Sequence, residues 1–394
     1  MSYLIFCSFE VGGLPFKMAE TLNRHGVRTY YISFAKNARG HDSTDFHYGK
    51  KREDWDISSL FDRDFRDSRK DIEVLRHIRP SFDITHCLAT GHKAYLLRQA
   101  GMDYGYWCYG SDIDYYYKYF LFSGTLPIWK KMMLWPYLTL TFCREQRKSI
   151  IGSSSLMISP HQSENYKRLC PGKRLFFLSH LIDVMDYEEL REKKKESKKR
   201  ICEGIDAERF FFSSTRHFWH GKNRNITDCK GNDVILYSYA RYLEISGDKD
   251  SKLILVKKGP DVVSSNRLIR ELGINNYVVW VDEMRRDELS IYYQGASMCF
   301  GQFGTPSLTY TVLEPLSNGC SSVSFVVADN KDVPFYDPMP PVLNSKDPKE
   351  IADFMCKLTT DTEYADKLSY DSWLWAKGNC SEEIFVKTFQ KEMS

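Results

Sequence analysis

The sequence predicts an α/β protein with two tandem domains, each built around a doubly wound parallel sheet. Three observations support this prediction. Two series of β-type apolar runs alternate with segments of helical periodicity, a charged stretch separates the two series, and beyond residue 345 the pattern becomes helical only. Repeated β-α units imply parallel strands with helices on the faces of the sheet. A chain of 394 residues is long enough for two such cores.

The first series begins with the apolar run YLIFCSF, which is followed by Gly12-Gly13 and the helical segment LPFKMAETLNRHG. After it come VRTYYISF, RKDIEVLRHIR, FDITHC, HKAYLLRQAG and YGYWCYG, which alternate between strand-like and helix-like patterns. We therefore predict an amino-terminal domain over residues 1–185.

The second series follows the charged run REKKKESKKR, inside a predicted linker over residues 186–208. RFFFSST, SKLILVKKG, YVVWV, SMCFGQF and SSVSFVV are typical of strands, and NDVILYSYARYLEI, NRLIRELG and RDELSIYYQGA of helices. We predict a second domain over 209–375 and a C-terminal helix over 376–394 that can pack back on the first domain. Open α/β sheets bind ligands at the carboxyl ends of their strands. Two such domains facing each other would form one cleft suited to two substrates.

Composition excludes several classes of protein. The net charge of +3 lacks the clustered basic excess of a nucleic-acid-binding protein. The eleven cysteines contain no C-x-x-C pair, and the opening MSYLIFCSFEVGG lacks the features of a signal peptide. The longest uncharged apolar run, MMLWPYLTLTFC, has about half of the ~20 residues that a membrane-spanning helix needs. We therefore expect reduced thiols and a cytoplasmic protein.

Residues 126–148 mix tryptophan and tyrosine with lysine and arginine. This combination suits a membrane interface with anionic lipid, which would place the protein peripherally on the inner face of a membrane. A buried helix with a basic exposed face explains the composition nearly as well, so both interpretations stay open.

Gly12 and Gly13 stand between the first strand and the first helix. Without Cβ atoms, their backbone N–H groups can approach a phosphate or a sugar at the amino end of the helix. The pattern G-x-G-x-x-G is absent, which disfavours a nicotinamide cofactor. A tight turn with no ligand remains the alternative.

Two cations of the second domain stand, like Gly12 and Gly13 in the first, between a predicted strand and a predicted helix. Arg216 follows its first strand, and Lys230 opens the next helical unit in CKGNDVIL. A guanidinium offers a planar fork and an ammonium a point charge, so the pair could hold a diphosphate and neutralise it as a leaving group. Solvated loop cations are the alternative interpretation.

The stretch LTYTVLEPLSNGCSS contains one carboxylate, Glu314, directly before Pro315. Because proline is tolerated in the first helical turn, we predict a short helix that begins near Glu314 and ends at Gly319. The helix macrodipole stabilises such an acid by about 0.3–1 kcal/mol, which explains it without any function. Alternatively, its two oxygens accept hydrogen bonds from a vicinal diol such as that of a ribose.

These features, in this order, resemble the GT-B fold glycosyltransferases, and most closely the retaining enzymes of the family 4 type. TRH…KGNDVILYSYARYL is similar to the family's diphosphate-binding Arg and Lys-Gly unit, with a longer spacer. TVLEPLSNG is similar to the family's late block of apolar run, Glu and small-residue helix. The resemblance covers nearly the whole chain and implies two Rossmann-like domains.

The resemblance also implies roles for individual residues. Arg216 and Lys230 would be catalytic, stabilising the departing diphosphate, and Glu314 would hold the nucleotide ribose. The backbone amides around Tyr310 and Thr311 would touch the phosphates. From the acceptor domain, the Gly12-Gly13 loop would face the donor.

The sequence departs from the family at one position. Members usually carry a second Glu eight positions upstream of the ribose-binding one, commonly in contact with the transferred sugar, and here that position is Pro306. Its role would be absent or taken over by Gln302 or Ser307, which weakens the prediction of retention.

Further sugar contacts come from the first domain. YGSDID resembles a family segment, which implies that Asp112 binds the acceptor or donor sugar. His86, in DITHC, is another candidate for the cleft, although a structural histidine explains it as well.

No metal or cofactor is predicted. DID also fits the D-x-D metal motif of the GT-A fold, but a GT-A enzyme would not need the second β-α series. The spacing of His217, His220 and Cys229 matches no standard zinc site.

The sequence therefore predicts a glycosyltransferase, of hexosyltransferase type and retaining, that uses a nucleotide diphosphate sugar as donor. The acceptor would be a glycan or a lipid-linked molecule, as in surface polysaccharide or glycoconjugate synthesis. A nucleotide-sugar epimerase of the same fold and a non-catalytic nucleotide- or glycan-binding protein remain alternatives.

Overall fold

A computed structural model describes most of the chain. The described residues are 2–8, 12–33, 53–61, 68–108, 129, 132–133, 139–158, 170–221, 229–304, 306, 308–327, 336 and 338–393. They divide into two compact units. The first takes in the described residues up to Ser179 and those from Glu383 onward, and the second takes in those from His180 to Glu382.

The first unit contains a six-stranded sheet in the order β2-β1-β3-β4-β5-β6, with every neighbouring pair parallel. Its strands are β1 (Ser2–Cys7), β2 (Thr29–Ser33), β3 (Ile84–Thr90), β4 (Tyr104–Trp107), β5 (Ser155–Met157) and β6 (Arg174–Phe176). The described helices are α1 (Leu14–Arg24), α2 (Ser68–Ser81), α3 (Tyr95–Gln99) and α4 (Arg144–Gly152), with short helical turns at Ser58–Leu60 and Thr139–Cys143. Consecutive parallel strands joined by helices confirm the predicted α/β fold class of this unit.

The second unit contains another six-stranded parallel sheet, in the order β12-β11-β10-β7-β8-β9. Its strands are β7 (Arg209–Ser213), β8 (Ser251–Val256), β9 (Val278–Val281), β10 (Met298–Phe300), β11 (Ser322–Ser324) and β12 (Leu343–Asn344). Its helices are α5 (Tyr187–Ile205), α6 (Asn232–Ser246), α7 (Val262–Glu271), α8 (Arg286–Gly295), α9 (Tyr310–Ser317), α10 (Pro348–Thr360) and α11 (Thr362–Cys380), with a short turn at Asn275–Tyr277.

Helices cover both faces of this second sheet. Of three consecutive phenylalanines in β7, Phe211 packs in one apolar cluster, whereas Phe210 and Phe212 pack in another. All three side chains are completely buried. Side chains alternate between the two faces of a strand, so these three phenylalanines fill both faces of the sheet with apolar surface.

Within residues 186–208, the predicted linker, the charged run lies on helix α5. The Asp186 carboxylate caps α5 by accepting from the backbone N–H of Glu188 at 2.9 Å. Ion pairs along the helix, such as Lys193–Glu189 at 2.7 Å, explain most of its charge as a solvated face. Lys194 differs, because its ammonium group is turned inward to the carbonyl of Gly319 and to Ser369.

The last helix, α12 (Glu382–Met393), contacts the first sheet. The ring of Phe389 lies 5.1 Å from that of Tyr3 in β1, and the Arg174 guanidinium in β6 pairs with Glu392 at 2.7 Å. The predicted boundary between residues 375 and 376 falls inside α11, seven residues before the change of unit.

Of the segment 126–148, the structure describes residues 129, 132–133 and 139–148, and α4 begins within this part. Among the helices that the structure describes, none combines the length and the apolarity that a bilayer crossing requires.

Candidate functional site

The carboxyl ends of β7 and β10 lie side by side in the second sheet. The loop after β7 carries Thr215 and Arg216, and the loop after β10 carries Gly301 and Gln302. The Thr215 hydroxyl donates to the carbonyl of Gly301 at 3.0 Å, which ties the two loops together. Parallel sheets bind ligands at this edge, so the loops define the candidate site.

Lys230 is held by a buried glutamine. Its Nζ donates to Oε1 of Gln302 at 2.9 Å. Gln302 is in turn fixed through its backbone, since its N–H donates to Ser324 Oγ at 3.2 Å and its carbonyl accepts from the same hydroxyl at 2.8 Å. The ammonium therefore has a defined position at the edge of the sheet.

The backbone around Lys230 is fixed as well. Its N–H donates to the Phe218 carbonyl at 2.7 Å, and its own carbonyl accepts from Phe303 N–H at 2.9 Å. Gly231 has a φ of 65°, a left-handed conformation that favours glycine. A Cβ on Gly304 would overlap the backbone of Cys229, so the Lys-Gly turn and the loop after β10 are packed backbone to backbone.

Arg216 lies on a loop whose backbone is held by two hydrogen bonds to the Asn232 side chain. The Asn232 amide donates to the carbonyl of Thr215 at 3.3 Å and accepts from Phe218 N–H at 3.1 Å. The guanidinium carbon of Arg216 lies 5.4 Å from the centre of the Phe218 ring. Since Phe218 also accepts from the backbone of Lys230, the two predicted cations stand on adjoining, hydrogen-bonded loops.

Glu314 lies inside a helix, not at its start. Helix α9 begins at Tyr310, four residues earlier than the predicted start, with Thr309 as N-cap, and Pro315 is its sixth residue. The prediction of a helix starting at Glu314 was therefore wrong, because proline fits helical φ and here costs only one hydrogen bond in a short helix. The predicted end is correct, since Gly319 follows the helix with a φ of 58°.

The Glu314 carboxylate has one partner at each oxygen. Oε2 accepts from the Tyr293 hydroxyl at 3.2 Å, and Oε1 pairs with the Arg286 guanidinium at 3.3 Å. Tyr293 and Ser214 share a further hydrogen bond of 2.8 Å. Burial raises the pKa of Glu314, while the nearby Arg286 charge and the Tyr293 hydrogen bond act in the opposite direction.

Sequence reasoning missed Arg286, Tyr293 and Ser214. Ser214 follows β7, while Arg286 and Tyr293 belong to α8, and no spacing in RDELSIYYQG distinguishes Tyr293 from its neighbour. Only the packing of α8 beside α9 reveals which tyrosine reaches the acid.

Tyr310 and Thr311 form the first turn of α9, where backbone N–H groups have no acceptor within the helix. The Thr309 and Thr311 hydroxyls are 2.9 Å apart, and the Arg286 guanidinium carbon lies 5.5 Å from the centre of the Tyr310 ring. Burial raises the pKa of Tyr310. The predicted amide donors thus stand one helical turn before Glu314.

The predicted residues of the first unit that the structure describes occupy different ends of its strands. Gly12 and Gly13 follow the carboxyl end of β1 with φ of 59° and 71°, and Gly13 is the N-cap of α1. His86 lies within β3, and its ring is 5.5 Å from that of Tyr3. It is therefore near the amino end of β3, away from the edge where Gly12 and Gly13 stand.

Asp112 and Ser307 lie outside the described residues. Pro306 is described and half-buried. Within the described ranges no group of three or more His, Cys, Asp or Glu side chains could hold a metal ion. His217 is buried, with Nδ1 2.8 Å from Ser265 Oγ.

Three solved structures are similar to this chain. Sucrose-phosphate synthase from Thermosynechococcus elongatus has a TM-score of 0.61 at 12% identity, over 100% of this chain and 98% of that one. HepE from Anabaena in complex with UDP-glucose has 0.60 at 12% identity, over 100% and 99%. WaaG, a glycosyltransferase involved in lipopolysaccharide biosynthesis, has 0.53 at 12% identity, over 96% and 95%.

No family model matches the chain, and no curated protein matches it in sequence. At 12% identity, a likeness over whole chains establishes a fold. The structural neighbours are GT-B glycosyltransferases, and both of their Rossmann-like units are present here as parallel six-stranded sheets. This chain thus has the GT-B fold of those glycosyltransferases.

Proposed function

We propose that the protein transfers a sugar from a nucleotide diphosphate sugar to a hydroxyl of a glycan or lipid-linked acceptor. The observation that carries the proposal is the fixed Lys230 ammonium, 2.9 Å from Gln302 at the carboxyl edge of the second sheet. A cation fixed before the reaction stabilises charge that develops on a leaving group without having to reorganise. The departing nucleoside diphosphate is such a group.

Arg216 is the second cation of the proposed diphosphate site. It lies on the loop after β7, which is hydrogen-bonded to the loop of Lys230. A guanidinium binds phosphate oxygens with two parallel N–H groups, whereas an ammonium acts as a point charge. The first-turn amides of α9, at Tyr310 and Thr311, would add backbone donors for the phosphates.

Glu314 would bind the ribose of the donor. A carboxylate has about four lone-pair sites, and Tyr293 and Arg286 occupy one site at each oxygen. One lone-pair site then remains on each oxygen, so the carboxylate can accept one hydrogen bond from each of two neighbouring hydroxyls. The existing contacts would orient the carboxylate before the diol arrives.

The part of the proposed site that would hold the transferred sugar departs from the family pattern. Pro306 supplies no carboxylate for the transferred sugar, and Gln302 is engaged by Lys230. We propose a retaining transfer of a hexose in which Ser307 contacts the sugar, and we propose that the acceptor binds to the first unit beside Gly12 and Gly13. Asp112 would serve the same acceptor site. The basic, aromatic segment 126–148 would bring the protein to a membrane that carries the acceptor.

The deciding experiment has two steps. A thermal-shift screen across nucleoside diphosphates identifies the base, because a ligand that binds only the folded state raises its apparent stability. The matching donor sugars are then incubated with and without oligosaccharide and lipid-linked acceptors, and products are analysed by mass and by anomeric NMR signals. We expect transfer that requires an acceptor and retains the anomeric configuration.

The absent acid at Pro306 favours one other function, a non-catalytic protein that binds a nucleotide sugar. In that case the screen would find a nucleotide, but no acceptor would be modified and the donor would stay intact. An epimerase would instead convert the donor sugar in the absence of any acceptor.

A further inference from the structure

A cavity of about 480 Å³ opens on the second unit, between α7 and the edge strand β9. It is lined by Asn266, Ile269, Arg270, Asn275, Val278 and Trp280. Its volume falls within the range of roughly 300–1,000 Å³ that is typical of small-molecule sites. The proposed transfer reaction makes no use of these residues.

The lining follows from the periodicity of the two elements. Asn266 and Arg270 are four residues apart on α7, so they share a helical face, and Val278 and Trp280 are two apart on β9, so they share a strand face. Among the strands that the structure describes, β9 is the last of the sheet, and none of them covers its outer edge. The cavity is therefore bounded by one helix face and one strand face and is open at the side.

Polar groups in this cavity have unused hydrogen-bonding capacity. Within the ranges that the structure describes, the side chains of Asn266, Arg270 and Asn275 and the indole N–H of Trp280 make no hydrogen bond or ion pair. Asn266 and Trp280 are half-buried, whereas Arg270 and Asn275 are exposed. Residues that carry two amides, a guanidinium and an indole thus line one space.

The indole of Trp280 packs against the buried ring of His217. The ring of His217 lies 4.9 Å from it, and Nδ1 of His217 is 2.8 Å from Ser265 Oγ. Trp219 Nε1 donates to the same hydroxyl at 2.9 Å. An aromatic ring that is fixed before the ligand arrives loses little conformational entropy on binding.

We propose that this cavity binds a carbohydrate. The apolar C–H face of a pyranose ring matches a half-buried indole, and sugar hydroxyls both donate and accept, as the amide groups do. Arg270 is the only charged side chain of the lining, so neutral and acidic sugars fit better than sugars bearing ammonium groups.

The amino end of this carbohydrate site lies apart from the proposed donor site, although Trp280 contacts His217, the residue after Arg216. Asn275 and Val278 stand at the amino end of β9, whereas Lys230 and Gln302 stand at the carboxyl edge of the sheet. Its occupancy therefore does not depend on the transfer reaction, and binding can be measured whether or not the protein is a transferase.

The test uses saturation-transfer NMR on the full chain with maltotriose, a hyaluronan tetrasaccharide and a trimer of glucosamine. We expect maltotriose and hyaluronan signals with dissociation constants in the millimolar range and weaker binding of the glucosamine trimer. Trp280→Ala and Asn266→Leu should each weaken binding at least severalfold. Tyr237→Ala removes another exposed ring of the same unit, 45% exposed, and should leave binding unchanged.

Several results would overturn the proposal. They are wild-type protein that binds neither maltotriose nor hyaluronan, unaltered binding in both Trp280→Ala and Asn266→Leu, and preferential binding of the glucosamine trimer. Loss of sugar binding in Lys230→Met would also overturn it, because the sugar would then occupy the donor site. Thermal midpoints of each variant show whether it is folded, and Asn266→Leu, on a helix surface, decides the matter if Trp280→Ala is unstable.

Discussion

The ammonium of Lys230 and the side-chain carbonyl of Gln302 are joined by a hydrogen bond of 2.9 Å between the carboxyl ends of two neighbouring strands. Gln302 is only 3% exposed, so the acceptor of this bond is buried and fixes the position of the ammonium. A neutral partner is suitable there, because a carboxylate would offset the positive charge that a diphosphate needs.

The first prediction concerns these two residues. Lys230→Met should lower kcat by roughly 10²–10³-fold, the usual effect of removing one donor that stabilises transition-state charge. Gln302→Leu should lower kcat by about tenfold, because hydrogen bonds to charged groups contribute about 1.5–3 kcal/mol. Gln302→Glu should raise the KM for donor as well, through repulsion of the diphosphate. Steady-state kinetics separate these effects, and full turnover by Lys230→Met would refute the assigned role.

The second prediction tests Glu314 as a ribose ligand. Glu314→Gln should weaken donor binding by about tenfold, since a charged hydrogen bond is replaced by a neutral one. A 2′-deoxy donor should bind the wild type more weakly by a similar factor, and the variant should discriminate little between the two donors. Calorimetry with both donors measures this coupling. If the wild type and the variant discriminate equally between the two donors, Glu314 does not bind the ribose and only stabilises the helix.

The third prediction compares two adjacent tyrosines. Tyr293 donates to Glu314, whereas Tyr292 stacks on Phe212 with ring centres 5.0 Å apart. Tyr293→Phe should raise the KM for donor by roughly three- to tenfold, because it removes a hydrogen bond that orients the carboxylate. Tyr292→Phe keeps the ring and should leave the KM unchanged. Similar kinetics for the two variants would contradict an orienting role.

The fourth prediction concerns backbone packing at the candidate site. A Cβ on Gly304 would meet the backbone of Cys229, so Gly304→Ala should destabilise the second unit by about 1–3 kcal/mol. Gly378, inside α11, has open space around it, and Gly378→Ala should stabilise by about 0.5–1 kcal/mol. Urea unfolding measures both. A neutral Gly304→Ala would show that the two loops can separate.

The fifth prediction concerns pH. Burial lowers the pKa of His217 to about 4, from an ordinary value of 6.5. Between these values the unfolded chain binds more protons than the folded one, so stability falls as pH drops from 6.5 toward 4. Between pH 7.5 and 5.5 this one group should remove about 1 kcal/mol from the free energy of unfolding of the second unit.

The matched variants for that experiment are His217→Gln and His220→Gln. His220 is exposed, whereas His217 is 1% exposed. The free energy of unfolding of His217→Gln should depend less on pH than that of the wild type, while His220→Gln should follow the wild type. An identical pH dependence in all three proteins would mean that His217 becomes protonated without unfolding.

The sequence was sufficient for the fold class, because the periodicity of each segment and the order of strands and helices are local properties. It was also sufficient for Lys230 and Glu314 as candidates, since each stands at a recognisable place in a motif. It failed at Pro315, where the rule that proline occupies a first turn is a preference and the apolar contacts of Val312 and Leu313 extend the helix upstream.

The partners of the candidate residues could not have been predicted. Gln302 reaches Lys230 from 72 residues away, and Tyr293 and Arg286 reach Glu314 only because α8 packs beside α9. Such pairings depend on the register of packed elements, which no local pattern encodes.

The three phenylalanines of β7 have a consequence for any attempt to express the second unit by itself. While the helices of either sheet face are missing, this strand presents bare aromatic surface to water, and such segments are prone to aggregate. The unit therefore cannot be trimmed to a sheet with helices on one side. A fragment that omits α5 or α10 should accumulate as insoluble protein, whereas His180–Glu382 keeps both covers.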